Sequence, residues 1–278
     1  MPRTPRTPDA TISTIHAEQQ FRPQGFVMPR HHSHPYFELF YVEKGSARIV
    51  TDNDIYDLSP GDFLLIPPHE FHYTNYHSSD CKRSTVFFRD SDISPQLIAK
   101  MPGNESFFQH IRIFQVPHAY QPQVSEIIRQ MATEERIDDE YAPFILQSMF
   151  NALMFLCRRH CMFYQDIPDN IHTTDRQLVT AARYISEHYM EQITTKDVAN
   201  ASGFSPNYLT RKFREATGLG IRQYLIFIRL QHAASELLST RDSITQIAFR
   251  CGFTDSNYFK DVFKKNYGMS PSSYRNES

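Results

Sequence analysis

The chain has 278 residues, of which 40% are hydrophobic and 22% are charged, and its formal net charge is −2. That length is long for one domain and sufficient for two domains with separate cores. No apolar run approaches the roughly 18 residues of a membrane span. The N-terminus does not resemble a secretory signal, and the four cysteines have no regular spacing. We therefore expect a cytoplasmic protein and exclude a membrane protein or a disulfide-rich secreted domain.

The first part of the chain changes from polar to β-like. Residues 1–20 are polar and proline-rich, which predicts a flexible arm. From residue 21, short apolar runs alternate with Gly, Pro, Asp and Asn at intervals of roughly ten residues, the pattern of a small antiparallel sandwich or barrel. The four predicted strands are Phe37–Val42, Ala47–Val50, Asp62–Ile66 and Ser84–Phe88.

Histidine and carboxylate side chains accompany these strands in two motifs. The first is His32-Ser-His34-x3-Glu38-x6-Gly45 and the second is Gly61-Asp62-x4-Pro67-x4-His72. Three imidazoles and one carboxylate suit Zn, Mn, Fe or Ni. The pair of motifs resembles the two metal-binding motifs of the cupin barrel, with one departure, because His69 stands where cupins usually keep a glycine.

Three interpretations of this constellation stay open. The side chains contact a small molecule, with a sugar as the first candidate, or they bind a metal, or they are structural and surface histidines. Aromatic and basic neighbours would suit stacking and hydrogen bonding to a hydroxylated ligand. The candidate ligand-binding residues are Arg30, His32, His34, Tyr36, Glu38 and His72. His32, His34, Glu38 and His72 are also the candidate metal ligands, although we predict no cofactor.

Between Gln123 and Cys161 the apolar period becomes helical and predicts a pair of helices. In the second helix, Ile145, Met149, Ala152 and Leu156 form a stripe. This stripe either packs on its own domain or forms the seam of a homodimer. Residues 21–163 are thus predicted to form one domain for effector binding and dimerisation. Residues 164–173 are polar, lack periodicity and are predicted to be a linker.

The last hundred residues contain a repeat. The same pattern occurs at 199–213 and again at 248–263: a small residue, then Gly-Phe, then a Tyr and a Phe. The two copies differ in register by one extra residue, between Gly252 and Tyr258. Each copy begins with a helix-capping pattern, at Thr194-x-x-Asp197 and at Ser243-x-x-Gln246. The repeat predicts two helix-turn-helix units, and a helix over Ile221–Leu238 would join them. From Thr174 onward there are 14 Lys and Arg against 10 Asp and Glu, which suits a domain that meets phosphate.

The second helix of each unit has a predicted outward face. Leu209 and Phe213 are spaced to face a core, and Phe259 and Phe263 match them. The remaining side chains are of the types that read base edges and bind phosphates. The predicted DNA-binding residues are Asn207, Thr210, Arg211, Arg214, Ser256, Asn257, Lys260 and Lys264. Asp261, in the same helix, either accepts a hydrogen bond from cytosine or makes the second unit a weaker reader.

This half closely resembles the DNA-binding domain of AraC/XylS-type transcription regulators. The resemblance rests on Ile247-Ala248, Gly252-Phe253, Tyr258-Phe259, Phe263-Lys264, Gly268 and Ser270-Pro271-x-x-Tyr274-Arg275. It implies an α+β protein of two domains, an N-terminal cupin-like β-barrel with a helical pair and a C-terminal all-α double helix-turn-helix over 174–278. It also implies a non-enzymatic regulator with double-stranded promoter DNA, a small-molecule effector and RNA polymerase as partners. The alternatives are a metal-dependent cupin enzyme and a ligand-independent DNA binder.

Overall fold

The computed structural model describes residues 15–26, 33–51, 54–76, 79–163 and 175–276. The chain divides into two compact units, one within residues 1–51 and 56–174 and the other within 52–55 and 175–278. The first is rich in β-strands and the second is helical, which confirms the predicted fold class. The predicted linker, 164–173, lies outside the described residues. Within the part that is described, no helix combines the length and the apolar character needed to cross a membrane.

The described strands of the first unit form two sheets that face each other. The larger has the strand order β1-β7-β2-β5-β8-β9 and the smaller the order β4-β3-β6. The strands are β1 His16–Arg22, β2 Phe37–Gly45, β3 Ala47–Thr51, β4 Ile55–Leu58, β5 Asp62–Ile66, β6 His72–Asn75, β7 Cys81–Phe88, β8 Arg112–Gln115 and β9 Met162–Phe163. An apolar cluster that includes Phe40, Ile49 and Leu64 fills the space between the sheets.

Strand β1 corrects the predicted extent of the flexible arm. Residues 1–14 lie outside the described part of the chain, but His16–Arg22 pairs antiparallel with β7 along its whole length. The arm therefore cannot extend to residue 20. The sequence concealed this strand because its inward side chains, among them Glu18 and Gln20, are polar and find polar partners inside the barrel.

Helices cover the outer face of the large sheet. They are α1 Pro95–Ile98, α2 Ser106–Gln109, α3 Gln121–Glu134 and α4 Ala142–His160. The longer two are the predicted pair, and they share a core with outward-facing strand residues such as Leu39 and Val86. The predicted stripe on α4 is divided between two environments. Met149 and Leu156 pack against this core, whereas Ile145 is exposed.

In residues 175–276, the described part of the second unit, the structure has seven helices: α5 Arg176–Glu187, α6 Thr195–Ser202, α7 Pro206–Thr217, α8 Ile221–Ser239, α9 Ile244–Arg250, α10 Ser256–Tyr267 and α11 Pro271–Asn276. The capping boxes predicted at Thr194 and Ser243 both form. The joining helix α8 ends one residue beyond its predicted limit. The helix pairs α6–α7 and α9–α10 are the two predicted helix-turn-helix units.

Candidate nucleic-acid interface and ligand site

The turns of the two helix-turn-helix units have the same backbone structure. Gly203 follows α6 with φ of +72°, and Gly252 follows α9 with φ of +85°. After each glycine, the phenylalanine N–H donates to the carbonyl oxygen five residues earlier, from Phe204 to Ala199 and from Phe253 to Ala248, both at 3.0 Å. This bond is the mark of a Schellman helix end, which requires the left-handed conformation that glycine adopts cheaply.

A buried arginine contacts both helix-turn-helix units. Arg229 lies in α8 and is 7% exposed. Its guanidinium donates to the carbonyl oxygens of Tyr189 at 2.7 Å and Glu191 at 2.6 Å, in the loop that leads into α6. The same guanidinium lies 5.9 Å from the ring centroid of Phe253 in the second turn. A buried charged side chain, satisfied by backbone oxygens, therefore contacts both the loop before the first helix-turn-helix unit and the turn of the second.

The first reading helix, α7, presents the predicted face. Leu209 and Phe213 are fully buried, and Asn207, Arg211 and Arg214 are exposed. The Arg211 side chain is 71% exposed, and its nearest carboxylate, on Glu215, is 3.9 Å away. Such a surface pair binds weakly, so the guanidinium can leave it for a base or a phosphate.

Thr210 is also exposed on α7, but its hydroxyl already donates a hydrogen bond within the helix. The Oγ1 atom donates to the carbonyl oxygen of Pro206 at 2.8 Å. The hydroxyl proton is therefore used within the helix, and the oxygen lone pairs face outward. In this rotamer Thr210 can accept a hydrogen bond from a base, for example from an exocyclic amino group.

The second reading helix, α10, also has a basic face. Asn257, Lys260 and Lys264 are exposed, whereas Ser256, the first residue of the helix, is half-buried. Asp255 caps the helix by accepting from the backbone N–H groups of residues 257 and 258 at 2.7 and 3.0 Å. Asp261 is exposed on the same helix and reduces its positive charge.

One cation of α7 has a partner that the repeat did not indicate. Lys212 forms an ion pair with Asp175, the residue that caps α5. The Lys212 ammonium group also lies over the rings of Phe204 and Tyr208, at 5.3 and 5.4 Å from their centroids. The lysine therefore helps to orient α7 on α5. Its spacing from the other basic residues carries no signal of this role.

In the first unit, three of the predicted site residues meet inside the barrel. The Nε2 atoms of His34 and His72 each lie 3.0 Å from the same carboxylate oxygen, Oε2 of Glu38. All three side chains are buried, and one nitrogen or oxygen atom of each lies within 4.8 Å of the others. The two halves of the sequence motif thus converge, as their resemblance to the cupin motifs implies.

Burial and hydrogen bonding compete in setting the charge of this cluster. Burial raises the pKa of the Glu38 carboxyl, but hydrogen bonds from His34 and His72 outweigh it and bring the pKa well below its ordinary value. Burial lowers the pKa of His72, but the hydrogen bond and charge of Glu38 outweigh burial and raise it. The cluster therefore contains a carboxylate anion held among imidazole nitrogens.

Of the remaining predicted ligand-binding residues, the structure describes only Tyr36. Tyr36 is buried, and its ring stacks on the His34 ring with centroids 4.1 Å apart and planes inclined by 4°. The Phe87 ring lies edge-on to the rings of both His34 and Tyr36. Arg30 and His32 lie outside the described residues.

A second polar cluster inside the barrel was missed by the sequence reasoning. Arg83 of β7 is 6% exposed and donates to Glu18 at 3.1 Å, to Gln20 at 2.9 Å and also to Thr85. Its guanidinium lies 5.3 Å from the ring centroid of Phe40. Alternate polar residues on β1 and β7 were the available signal, but polar residues in a strand normally indicate a solvent-facing side.

The departure at His69 also has a structural explanation. His69 is exposed, with φ of +64°, in the turn before β6. Glycine favours this conformation, which explains why a related barrel would keep a glycine there. The backbone N–H of His69 donates to the carbonyl oxygen of His34 at 2.8 Å, so the turn supports the cluster through its main chain.

These two units define a class of protein, the transcription regulators that combine a ligand-binding domain with a DNA-binding domain. Residues 17–146 match a family model described as an AraC-like ligand binding domain, and residues 198–277 match one described as a helix-turn-helix domain. The chain belongs to the AraC/XylS family of transcription regulators, which confirms the resemblance found in the sequence. It is a DNA-binding transcription regulator of that family with a ligand-binding domain.

Individual relatives extend over nearly the whole chain. The HTH-type transcriptional activator RhaS of Klebsiella pneumoniae (strain 342) is 28% identical over 273 residues, which cover 96% of this chain and 93% of the relative. RhaS of Escherichia coli (strain SMS-3-5) is 26% identical over 249 residues, with 89% and 87% coverage. Among solved structures, ToxT of Vibrio cholerae is 17% identical, covers 94% of this chain and 98% of its own, and has a TM-score of 0.36.

Proposed function

We propose that the barrel binds a neutral polyhydroxylated molecule, such as a sugar, and that this binding changes how the double helix-turn-helix occupies or activates a promoter. The observation that carries this proposal is the buried polar interior of the barrel, where charges of both signs are already paired. The RhaS relatives are activators by name, and the ligand-binding family model covers the barrel. The proposal also includes the absence of enzymatic activity.

The pairing of charges argues for a neutral ligand. Arg83 is matched by Glu18, and Glu38 is matched by two imidazoles. A carboxylate ligand would meet two glutamates, and a cationic ligand would meet a buried guanidinium, so either would cost desolvation without gaining a partner. Hydroxyl groups donate and accept, which allows them to join both clusters. The rings of Phe87 and Tyr36 supply apolar surface beside these polar clusters.

Promoter recognition is proposed to use the outward faces of α7 and α10. Arginine and asparagine read guanine and adenine edges, and lysines contact phosphates. We assign base reading to Asn207, Thr210 and Arg211 in α7 and to Ser256, Asn257 and Lys260 in α10. Arg214 and Lys264 complete the proposed set. Asp261 either accepts a hydrogen bond from cytosine or makes the second helix-turn-helix unit a weaker reader.

Activation is proposed to require a homodimer that contacts RNA polymerase. The outer face of α4 supplies the candidate dimer surface, because Tyr141, Phe144, Ile145 and Phe155 share that face and are 62%, 75%, 38% and 38% exposed. Large apolar side chains that recur at three- and four-residue intervals on a solvent-facing stripe are typical of a helix that pairs with another. A second copy presents the same stripe and can cover it symmetrically.

The effector must favour one arrangement of the regulator to act. A ligand with equal affinity for the active and inactive arrangements shifts neither, however tightly it binds. The proposal therefore requires that the effector bind more tightly when promoter DNA is present, and that DNA bind more tightly when the effector is present. A ligand-independent DNA binder would show neither effect.

Thermal unfolding of the full chain against a panel of monosaccharides and oligosaccharides tests the ligand class. An effector at one hundred times its Kd adds about 2.7 kcal/mol of stability. Glu18→Gln should remove the shift, and Glu105→Gln, the same change at an exposed position of the same unit, should keep it. A panel without any shift, or a shift unaffected by Glu18→Gln, would contradict the proposed site.

Promoter binding is tested separately by fluorescence anisotropy at fixed salt. Arg211→Ala should weaken specific binding by about 1–3 kcal/mol, because a guanidinium that bridges two acceptors of one base contributes this much discrimination. The side chain is exposed, so unfolding of the second unit should be unchanged. Lys196→Ala, which removes a cation from α6, serves as the control. Equal affinity of wild type and Arg211→Ala would refute the assignment.

A further inference from the structure

The first reading helix carries an exposed aromatic ring beside an arginine that is proposed to read a base. Tyr208 of α7 is 41% exposed, although its side chain is large and mostly apolar. The Cζ atom of Arg211 lies 5.6 Å from the centroid of the Tyr208 ring, within the roughly 6 Å over which a guanidinium is attracted to an aromatic face. The two residues are three positions apart, so they are neighbours on one face of the helix. The exposed ring therefore contacts a side chain of the proposed DNA interface.

Neighbouring side chains hold the Tyr208 ring in place. The ring of Phe204, in the turn before α7, lies with its centroid 5.2 Å away and its plane inclined by 50°. The Lys212 ammonium lies 5.4 Å from the Tyr208 centroid and forms an ion pair with Asp175. A hydrogen bond to Asp175 and a lesser one to the Tyr208 hydroxyl outweigh the effect of burial and raise the pKa of Lys212. Tyr208 is thus fixed to the turn and, through Lys212, to the start of α5.

The second reading helix supplies an internal comparison. Tyr258 occupies the matching position of α10, is 44% exposed, and lies beside Phe253 with ring centroids 6.4 Å apart. Three residues beyond it, where α7 has Arg211, the chain has Asp261. The face of an aromatic ring carries negative charge density, so it attracts a guanidinium but not a carboxylate. The two helices therefore share the tyrosine, and only the first places an arginine three residues after it.

We propose that Tyr208 is a positioning residue, which holds the Arg211 guanidinium for base reading and so sharpens discrimination at the base pair that Arg211 contacts. A planar guanidinium can stack on a ring while its N–H groups stay available for hydrogen bonds. An arginine that is ordered before DNA binds loses less side-chain freedom in the complex, which favours the base that fits the ordered position. Tyr208 acts through Arg211 and makes no base contact of its own. The inference rests on the proposed base-reading role of Arg211.

The DNA test uses full-length variants and a duplex that the wild-type protein selects from a random-sequence library. Fluorescence anisotropy at fixed salt measures the affinity for this duplex and for each of its single base-pair substitutions. The base pair at which Arg211→Ala loses discrimination is the one that Arg211 reads. Tyr208→Leu should lower discrimination there by about 2- to 5-fold, the contribution of an exposed cation–π contact, and leave the other base pairs unchanged. In an Arg211→Ala background, Tyr208→Leu should have no further effect.

Two further variants separate positioning from other roles of the tyrosine. Tyr208→Phe keeps the ring and loses the hydroxyl, so it should retain the discrimination of the wild type. Tyr258→Leu removes the matching ring of α10, and its effect should be the same with and without Arg211. If Tyr208→Leu weakens binding equally at every base pair, or adds fully to Arg211→Ala, the ring supports only the fold of α7 and the proposal is overturned. A Tyr208→Phe variant as impaired as Tyr208→Leu would assign the effect to the hydroxyl and overturn it as well.

A measurement without DNA distinguishes failure of this inference from failure of the proposed function. In NMR spectra of arginine-labelled protein, with the Arg211 signals assigned from Arg211→Ala, the ring should shift the Arg211 side-chain protons upfield. Tyr208→Leu should abolish this shift and Tyr208→Phe should keep it. If the shift is missing while Arg211→Ala weakens DNA binding, base reading by Arg211 stands and positioning by Tyr208 is overturned. If the shift is present while Arg211→Ala binds the selected duplex like wild type, the base-reading assignment fails, and this inference fails with it.

Discussion

Two glycines of the second unit offer a matched test of how the helix-turn-helix pair is built. Gly252 and Gly268 both adopt positive φ, +85° and +78°. A Cβ at Gly268 would meet nothing within 4 Å, whereas a Cβ at Gly252 would lie 2.7 Å from the carbonyl oxygen of Tyr189 and 2.8 Å from Nε of Arg229. Alanine at either position pays for the left-handed conformation, about 1–2 kcal/mol.

Only Gly252→Ala must also disturb the contacts that Arg229 makes with the two helix-turn-helix units. The buried Arg229 guanidinium donates to two backbone oxygens, and hydrogen bonds to charged groups contribute roughly 1.5–3 kcal/mol each. Moving the loop to admit a methyl group disrupts at least one of them. We therefore expect Gly252→Ala to lose about 3–5 kcal/mol in total and Gly268→Ala about 1–2 kcal/mol.

Thermal unfolding of the full-length variants, followed by helical circular dichroism, measures this difference. A loss of 1 kcal/mol corresponds to roughly 4–8 °C in Tm for a domain of this size, so the two variants should differ by well over 5 °C. Promoter affinity should fall more for Gly252→Ala, because the spacing of the reading helices changes. Equal destabilisation of both variants would refute the idea that the Gly252 turn is packed against Arg229 and its backbone partners.

Three further predictions address charge, pH and association. Lys264→Ala should lower promoter affinity similarly for all sequences and reduce the slope of log K against log salt by about 1, as measured by anisotropy titrations. A slope equal to that of wild type would exclude a phosphate contact. Burial lowers the pKa of His16, but the hydrogen bond and charge of Glu135 outweigh it and raise the pKa above 6.5. The stabilisation is therefore present below pH 6.5 and disappears as the pH rises through the raised pKa. His16→Gln should cost about 1 kcal/mol at acidic pH and less at pH 9, so a cost independent of pH in urea unfolding would contradict this pairing. Phe144→Glu should shift sedimentation towards the monomer without altering unfolding of the monomer, because this side chain is 75% exposed. A dimer of undiminished affinity would remove α4 from the interface.

The double helix-turn-helix was largely predictable because its signals are local and repeated. Capping residues, the Gly-Phe turns and the core spacing of Leu209 and Phe213 each act within a few residues of the chain. Two copies of the same pattern then support each other. The contacts of Arg229 with the two helix-turn-helix units were not predictable in this way. Its backbone partners are some forty residues distant, and any residue type can supply a carbonyl oxygen.

The barrel was predictable in outline but not in its polar interior. Four apolar strands were found, yet β1 was assigned to a flexible arm because its inward side chains are Glu and Gln. A strand that faces a buried polar interior alternates polar and apolar residues just as a strand that faces water does, but its polar side chains point inward. The sequence cannot separate these cases until the partner on the neighbouring strand, here Arg83, is known. Strand β1 and the Arg83 half of the proposed ligand site were therefore missed for the same physical reason.

Helix α4 shows a related limit, in which a helix is apolar on more than one side. Leu146, Phe150 and Leu153 are buried in the core, while Phe144 and Phe155 point outward. One residue corresponds to 100° around a helix, so neighbouring apolar stripes overlap in the sequence, and the predicted stripe fell across the boundary between them. Hydropathy alone cannot rank the two faces, since each is apolar enough to be buried. The domain core covers one face and leaves the other in water, which is why we expect a second copy of the chain to cover it.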